Sequence, residues 1–140
     1  MGPRGTNPKE SAQPLCVPRA KALLVDEDPG DLRYYCDILE GYGVRTCNSY
    51  QEGVRCLGCE VFDFVMVSQE TPNFDGRCVL ERATEIDRHL PVLIVARHLD
   101  MGSYLEAMQL GAVDYLVKPL TLTEIVRVLG THPPIRSIAA

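Results

Sequence analysis

The chain has 140 residues, 46% of them hydrophobic and 24% charged, with a net charge of −5. That is enough chain for one globular domain with a real core, and the acidic balance argues against a nucleic-acid-binding surface. No apolar run reaches the ~20 residues that span a bilayer, so no membrane association is expected.

Residues 1–19 carry Pro3, Pro8, Pro14 and Pro18 among scattered Gly, Ser and Asn. They read as a flexible leader, without the apolar run of a signal peptide, and a cytoplasmic location is expected. Residues 22–25 form a short apolar strand, followed directly by Asp26, Glu27 and Asp28. Asp28 before Pro29 is an N-cap with proline at the first helical position. The helix places Leu32, Cys36 and Leu39 on one face with Tyr35 beside them, and Gly41 and Gly43 are expected to end it. Residues 44–47 read as a second strand. Ser49 with Glu52 makes a capping box for a helix that buries Val54 and Leu57.

The apolar run Phe62-Asp63-Phe64-Val65-Met66-Val67 predicts a buried parallel strand, and the loop with Pro72 and Gly76 turns into a helix. That helix carries Val79, Leu80, Ala83 and Ile86 on its apolar face. After Pro91, Val92-Leu93-Ile94-Val95 is a fourth strand ending at Ala96. Asp100 caps a helix with Met101, Tyr104, Leu105 and Met108 at i, i+3, i+4 and i+7, which is core spacing, and Gly111 closes it. Residues 113–117 are a fifth strand ending at Lys118-Pro119. Thr121 and Glu124 form another capping box. The last helix aligns Leu122, Ile125, Val126 and Leu129, and Gly130 with Pro133-Pro134 stops it. Residues 20–131 thus form the folded domain and 132–140 a tail. Five strands alternating with five helices predict an α/β fold: a single doubly wound parallel sheet, with ligand sites beyond the carboxyl ends of the strands.

The six cysteines are Cys16, Cys36, Cys47, Cys56, Cys59 and Cys78. In a cytosolic protein they are expected as reduced, mostly buried small side chains. Cys56-Leu57-Gly58-Cys59 is a lone C-x-x-C without a second pair at zinc spacing, so no metal site is read into it.

Two stretches carry a family resemblance. One is the third strand with Ser68 and the loop Pro72-Asn73-Phe74-Asp75-Gly76. The other is Gly111-Ala112-Val113-Asp114-Tyr115-Leu116-Val117-Lys118-Pro119. Together they resemble a two-component response regulator receiver domain of the CheY-like type, over about residues 21–129. The resemblance implies the strand order 2-1-3-4-5. It implies that Asp26 and Glu27 are the acidic pair that holds Mg²⁺, and that Glu70 lies where a backbone carbonyl coordinates the metal. It also implies that Tyr115 is the switch aromatic and Lys118 the site lysine, with a cis peptide before Pro119. Two positions depart from the pattern. Ser68 stands where the family has its phosphoacceptor aspartate, and Ala96 where it has a hydroxyl that binds the phosphoryl group.

The departures bear on the chemistry. A receiver needs a carboxylate to take the phosphoryl group, and a cation and a lysine to neutralise it in transfer. Ser68 is a poor nucleophile without an adjacent base, and the motif places no His beside it. The pocket keeps two acids and one lysine where the family has three acids and one lysine, so Mg²⁺ binding is expected to be weak. Arg97 is read either as an exposed loop residue or as a guanidinium reaching Asp26, Glu27 or Glu70.

The expected function is a receiver-like signalling module of a two-component system, a pseudo-receiver acting by protein–protein contact without aspartyl phosphorylation. The alternative is a regulator switched by atypical phosphorylation, for example on Ser68, or by a metal or ligand in the acidic pocket. Enzymatic activity is not expected. Partners are a signalling kinase or an output protein, met through the fourth-helix surface around Met101, Tyr104, Leu105 and Met108. A homodimer through the fourth-helix, fifth-strand and fifth-helix face is a further expectation. No DNA contact is expected, because no DNA-binding motif follows Gly130.

Overall fold

The computed structural model describes residues 20–71 and 73–130. The leader, Cys16, Pro72, Pro133 and Pro134 lie outside them. Ten elements alternate: β1 Lys21–Val25, α1 Pro29–Ile38, β2 Gly43–Cys47, α2 Tyr50–Cys59, β3 Phe64–Gln69, α3 Arg77–Ile86, β4 Val92–Ala96, α4 Met101–Gln109, β5 Asp114–Val117 and α5 Leu122–Gly130. All strands are parallel, in the order β2-β1-β3-β4-β5. This is the expected doubly wound fold and strand order.

The period-two alternation of the strands builds two cores. Leu23, Val25, Val65, Val67 and Ile94 face α2, α3 and α4, where they meet Leu57, Val79, Leu80, Ala83 and Ala107. Ala22, Leu24, Phe64, Met66, Leu93 and Val95 face the other way, toward Tyr35, Leu39, Ile125, Val128 and Leu129 of the α1 and α5 layer. β1, β3 and β4 are therefore apolar on both faces, as strands covered by helices on both sides must be.

The helix starts follow their caps. Asp28 accepts from the Gly30 amide, Ser49 from Glu52 and Asp100 from Ser103, at 2.9, 3.2 and 2.8 Å. Thr121 and Glu124 bond reciprocally as a full capping box. Gly111, with φ +107, ends the turn after α4.

Four packing expectations are corrected. α1 ends at Ile38, before Gly41, and Gly43 opens β2. Ile86, Leu122 and Val126 are exposed; α5 buries Ile125 and Leu129 as expected, and Val128 with them. Val54 is only partly buried, at the edge of its core. On α4 the buried pair is Ser103 and Ala107, while Met101 and Leu105 lie 57% and 53% exposed. Small residues face the sheet, Tyr104 and Met108 pack partly against the core, and Met101 and Leu105 turn outward.

Gly53 of α2 marks a close approach. A Cβ there would stand 2.8 Å from Cγ2 of Val25, which is buried and stiff at χ1. Gly→Ala in a helix usually stabilises by up to ~1 kcal/mol, whereas overpacking costs ~1–3 kcal/mol. Gly53→Ala is therefore expected to lower the denaturant midpoint, by about 1 kcal/mol in stability. A raised midpoint would show that α2 does not press on β1 as described.

Candidate functional site

Four strand ends converge on one point. Asp26 follows β1, Ser68 and Glu70 end β3, Arg97 follows β4, and Lys118 follows β5. The parallel ladder brings them together: Gln69 pairs with Ala96, and Ala96 with Val117. The Lys118 amide then continues the ladder to the Ala96 carbonyl at 2.7 Å.

Lys118 is the centre. Its side chain is 4% exposed, and Nζ donates to Asp26 Oδ2 at 2.8 Å, Asp31 Oδ2 at 2.8 Å, Glu70 Oε2 at 2.6 Å and Ser68 Oγ at 2.9 Å. Burial disfavours the ammonium, but the bonds to Asp26, Asp31 and Glu70 outweigh it and raise the lysine above its ordinary value. Burial likewise pushes Glu70 up, but its bonds from Lys118 and Ser68 prevail and hold it below the usual carboxylate range. Asp26 is also held at its other oxygen, by the Asp28 amide at 2.9 Å.

Arg97 covers this cluster from outside. Its Nη2 donates to Asp28 Oδ2 at 2.8 Å and Asp31 Oδ2 at 2.7 Å, and its Nε lies 3.4 Å from Glu70 Oε1. The guanidinium thus reaches the pocket, toward Glu70 as one expectation had it, and toward Asp28 and Asp31 rather than Asp26 or Glu27. Asp31 and Glu70 each face both cations, so Lys118 and Arg97 share two carboxylates.

Two readings of this site are corrected. Glu27 is exposed and is not among the acids bonded to Lys118, though its charge acts on Tyr50 beside Ser68. Asp31, which the sequence reading missed, takes its place, and Glu70 contributes its carboxylate. Helix geometry explains Asp31: it lies one turn beyond the Asp28 cap, in the first turn of α1, facing the strand ends. The D-x-x-D spacing was the signal for it. Ser68 also has an adjacent base, since its hydroxyl donates to Glu70 Oε2 at 2.7 Å. With the bonds from Lys118 and Ser68 lowering Glu70 against its burial, that base is weak.

Ser68 is 3% exposed, and the phenol of Tyr50, another residue not foreseen, donates to its carbonyl at 2.8 Å. Beneath Lys118 lies a cavity of about 10 Å³, bounded by Leu24, Tyr35, Met66 and Val95 as well as Asp26 and Ser68. That is room for a water-sized group. Gln69 holds the loop after β3 at both ends, donating to the Thr71 carbonyl and accepting from the Gly76 amide. Tyr115 is buried, with its ring edge-on to Tyr104 at 5.9 Å, and Ala96 is fully buried. The Lys118–Pro119 peptide is cis, as the resemblance implies. Tyr104 and Met108 pack partly against the core, and Met101 and Leu105 stand free on the surface of α4.

The oxygens of Asp26, Asp31 and Glu70 lie within 4.8 Å of one another, a hard donor set of the kind Mg²⁺ takes. The Lys118 ammonium bonds to all three, and Arg97 to two of them. As arranged, these residues do not fit a divalent cation, because the position that would neutralise them is already filled by protein charge.

Removing the ammonium leaves the buried carboxylate of Asp26 facing the partly exposed ones of Asp31 and Glu70. Lys118→Met is expected to cost about 3–5 kcal/mol at neutral pH, the usual penalty for breaking a buried ion pair. The loss should shrink in acid, as Glu70 loses its charge. In the unaltered protein, Glu70 has a depressed folded value. Its contribution is therefore full above the ordinary glutamate range and is lost as pH falls through that folded value. Urea midpoints at pH 7 and pH 4 test this; an unchanged midpoint at pH 7 would mean the lysine is merely solvated.

Comparison with known proteins places this geometry. Residues 22–130 match the response regulator receiver domain family. The transcriptional regulatory protein ZraR of Escherichia coli K12 is 32% identical over 104 residues, covering 70% of this chain and 23% of ZraR. The alginate biosynthesis transcriptional regulatory protein AlgB of Pseudomonas aeruginosa is 32% identical over 124 residues, covering 87% of this chain and 28% of AlgB. The chain thus spans about a quarter of the length of these relatives. A response regulator receiver domain protein from Clostridium thermocellum superposes with a TM-score of 0.74 at 28% identity, covering 86% of this chain and 99% of that one. The site at the carboxyl end of a β2-β1-β3-β4-β5 sheet and the family match over residues 22–130 agree: this chain belongs to the response regulator receiver domain family.

Proposed function

We propose that this receiver domain works as a pseudo-receiver, its pocket neutralised by Lys118 and Arg97 in place of a metal and a phosphoryl group, and that it signals by protein–protein contact. The observation that carries the reading is the Lys118 ammonium bonded to Asp26, Asp31, Glu70 and Ser68 at once. Aspartyl transfer needs a carboxylate nucleophile, a cation and a receiving hydroxyl; Ser68, the ion-paired acids and Ala96 supply none of these in usable form. No enzymatic role is assigned.

A second reading, phosphorylation on Ser68, draws on the Ser68–Glu70 hydrogen bond. Burial of the hydroxyl and the low basicity of Glu70 weigh against it.

The partner in this reading is a kinase or an output protein. Met101 and Leu105 of α4, Val117 of β5, and Leu122 and Val126 of α5 are all exposed apolar side chains. An apolar surface of this kind suits a protein partner, including a second copy of the chain. Among the described residues no helix is long and apolar enough to cross a membrane.

Incubation with acetyl phosphate and Mg²⁺ is expected to leave the intact mass unchanged. Gain of a hydroxylamine-labile phosphoryl group would overturn the reading, and gain of a hydroxylamine-resistant one would favour Ser68 chemistry.

Mg²⁺ below about 1 mM is expected to leave the melting temperature unmoved, since it competes with two resident cations. Arg97→Ala removes the outer one and should bring a Mg²⁺-dependent rise into the millimolar range. A rise of equal size in both proteins would show that Arg97 does not guard the acids.

A further inference from the structure

Cys47 closes the edge strand β2, and Cys56 lies on α2. Their sulfurs are 3.3 Å apart and hydrogen-bonded, with the residues 1% and 5% exposed. Cys59, the partner that the C-x-x-C spacing suggests for Cys56, is exposed instead. Nothing in the site around Lys118 uses either buried thiol.

We propose that Cys47 and Cys56 are an oxidative modification site, at which a small oxidant of the peroxide class forms a reversible disulfide that staples β2 to α2. The sulfurs are already in contact and must close to about 2.05 Å to bond, a shift of roughly 1.2 Å that side-chain rotation helps to supply. Arg45, paired with Glu60, sits where its charge acts on both sulfurs and favours a thiolate there. Burial, then the hydrogen bond with Cys56, pushes the Cys47 thiol up to about 12. Arg45 acts more strongly on Cys56 than on Cys47, which makes Cys56 the attacking sulfur.

The steps balance. The Cys56 thiolate attacks one oxygen of hydrogen peroxide; the O–O bond breaks, and hydroxide leaves and is protonated to water. Cys56 becomes a sulfenic acid. The Cys47 sulfur then attacks the Cys56 sulfur, expelling hydroxide, which takes up the Cys47 proton to form the second water. Two thiols lose two electrons and two protons, and the peroxide is reduced to two waters. Exchange with an external thiol reverses the bridge. Burial of both sulfurs slows the oxidant's access to them.

The staple adds to the hold on an edge strand that pairs with β1 alone. In β2 only Cys47 is buried, and its carbonyl accepts the Asp26 amide at 3.1 Å. Cross-linking therefore fixes both the edge strand and the backbone at the end of β1.

The test treats the 140-residue chain with hydrogen peroxide under native conditions, followed by intact mass, non-reducing peptide mapping and a melting curve. We expect loss of two hydrogens, a linked Cys47–Cys56 peptide, reversal by dithiothreitol, and a melting temperature raised by about 5 °C. Cys56→Ser should abolish the bridge and the rise, while Cys59→Ser with Cys78→Ser should keep both. If Cys56→Ser does not fold, the double variant alone decides, since it leaves the buried pair untouched. A bridge through Cys59 or Cys78, a sulfinic acid without a bridge, or a bridge that lowers the melting temperature would each overturn the proposal.

Discussion

A buried ammonium organises the carboxyl end of this sheet. Withdrawing a lysine from water costs several kcal/mol unless opposite charge and hydrogen bonds surround it. Lys118 meets that demand with carboxylates from three separate elements: Asp26 after β1, Asp31 in α1 and Glu70 after β3. The same contacts tie the α1 terminus and the β3 loop to the end of β5. Three acids around one ammonium leave surplus negative charge, and Arg97 from the β4 end offsets it. The inner pair is buried and strong; the outer guanidinium is half exposed and individually weak, so it acts as a cover rather than a foundation.

The sheet makes this convergence unavoidable. Parallel strands all finish on one side, and the backbone ladders fix which ends are neighbours. Receiver chemistry uses the same convergence to bring acids, a metal and a phosphoryl group together. In this chain Ser68 at the end of β3 carries no carboxylate and Ala96 at the end of β4 no hydroxyl, while Asp26, Asp31, Glu70, Lys118 and Arg97 are paired with one another. The pocket then closes on itself through its own side chains. Apolar surface on α4, β5 and α5 is left facing solvent next to the site.

Helices show where pattern reading stops short. The caps at Asp28, Ser49, Asp100 and Thr121 are local, and each helix begins where its cap says. The buried face is less local. Leu122 and Val126 fit a stripe with Ile125 and Leu129 by spacing, yet α5 buries Ile125, Leu129 and Val128 and leaves the other two exposed. On α4, Met101 and Leu105 fit core spacing but face out, while Ser103 and Ala107 are buried. Spacing defines a stripe only to within a residue or so, and packing chooses among its neighbours.

The sequence by itself determined the alternation of strands and helices, the parallel sheet, and the strand ends that carry Asp26, Ser68, Ala96 and Lys118, because these rest on local periodicity and turn chemistry. The strand order came from the motifs at Ser68 and at residues 111–119. Only the tertiary structure decided which acids meet the lysine. Glu27 and Asp31 are both near Asp26 along the chain, but the first turn of α1 points Asp31 at Lys118 and leaves Glu27 in solvent. The reach of Arg97 to Asp28 and Asp31 spans more than sixty residues of sequence, as the contact of Cys47 with Cys56 spans two elements. Charge pairing and sulfur contact depend on distances in space, and those exist only once the helices are docked on the sheet.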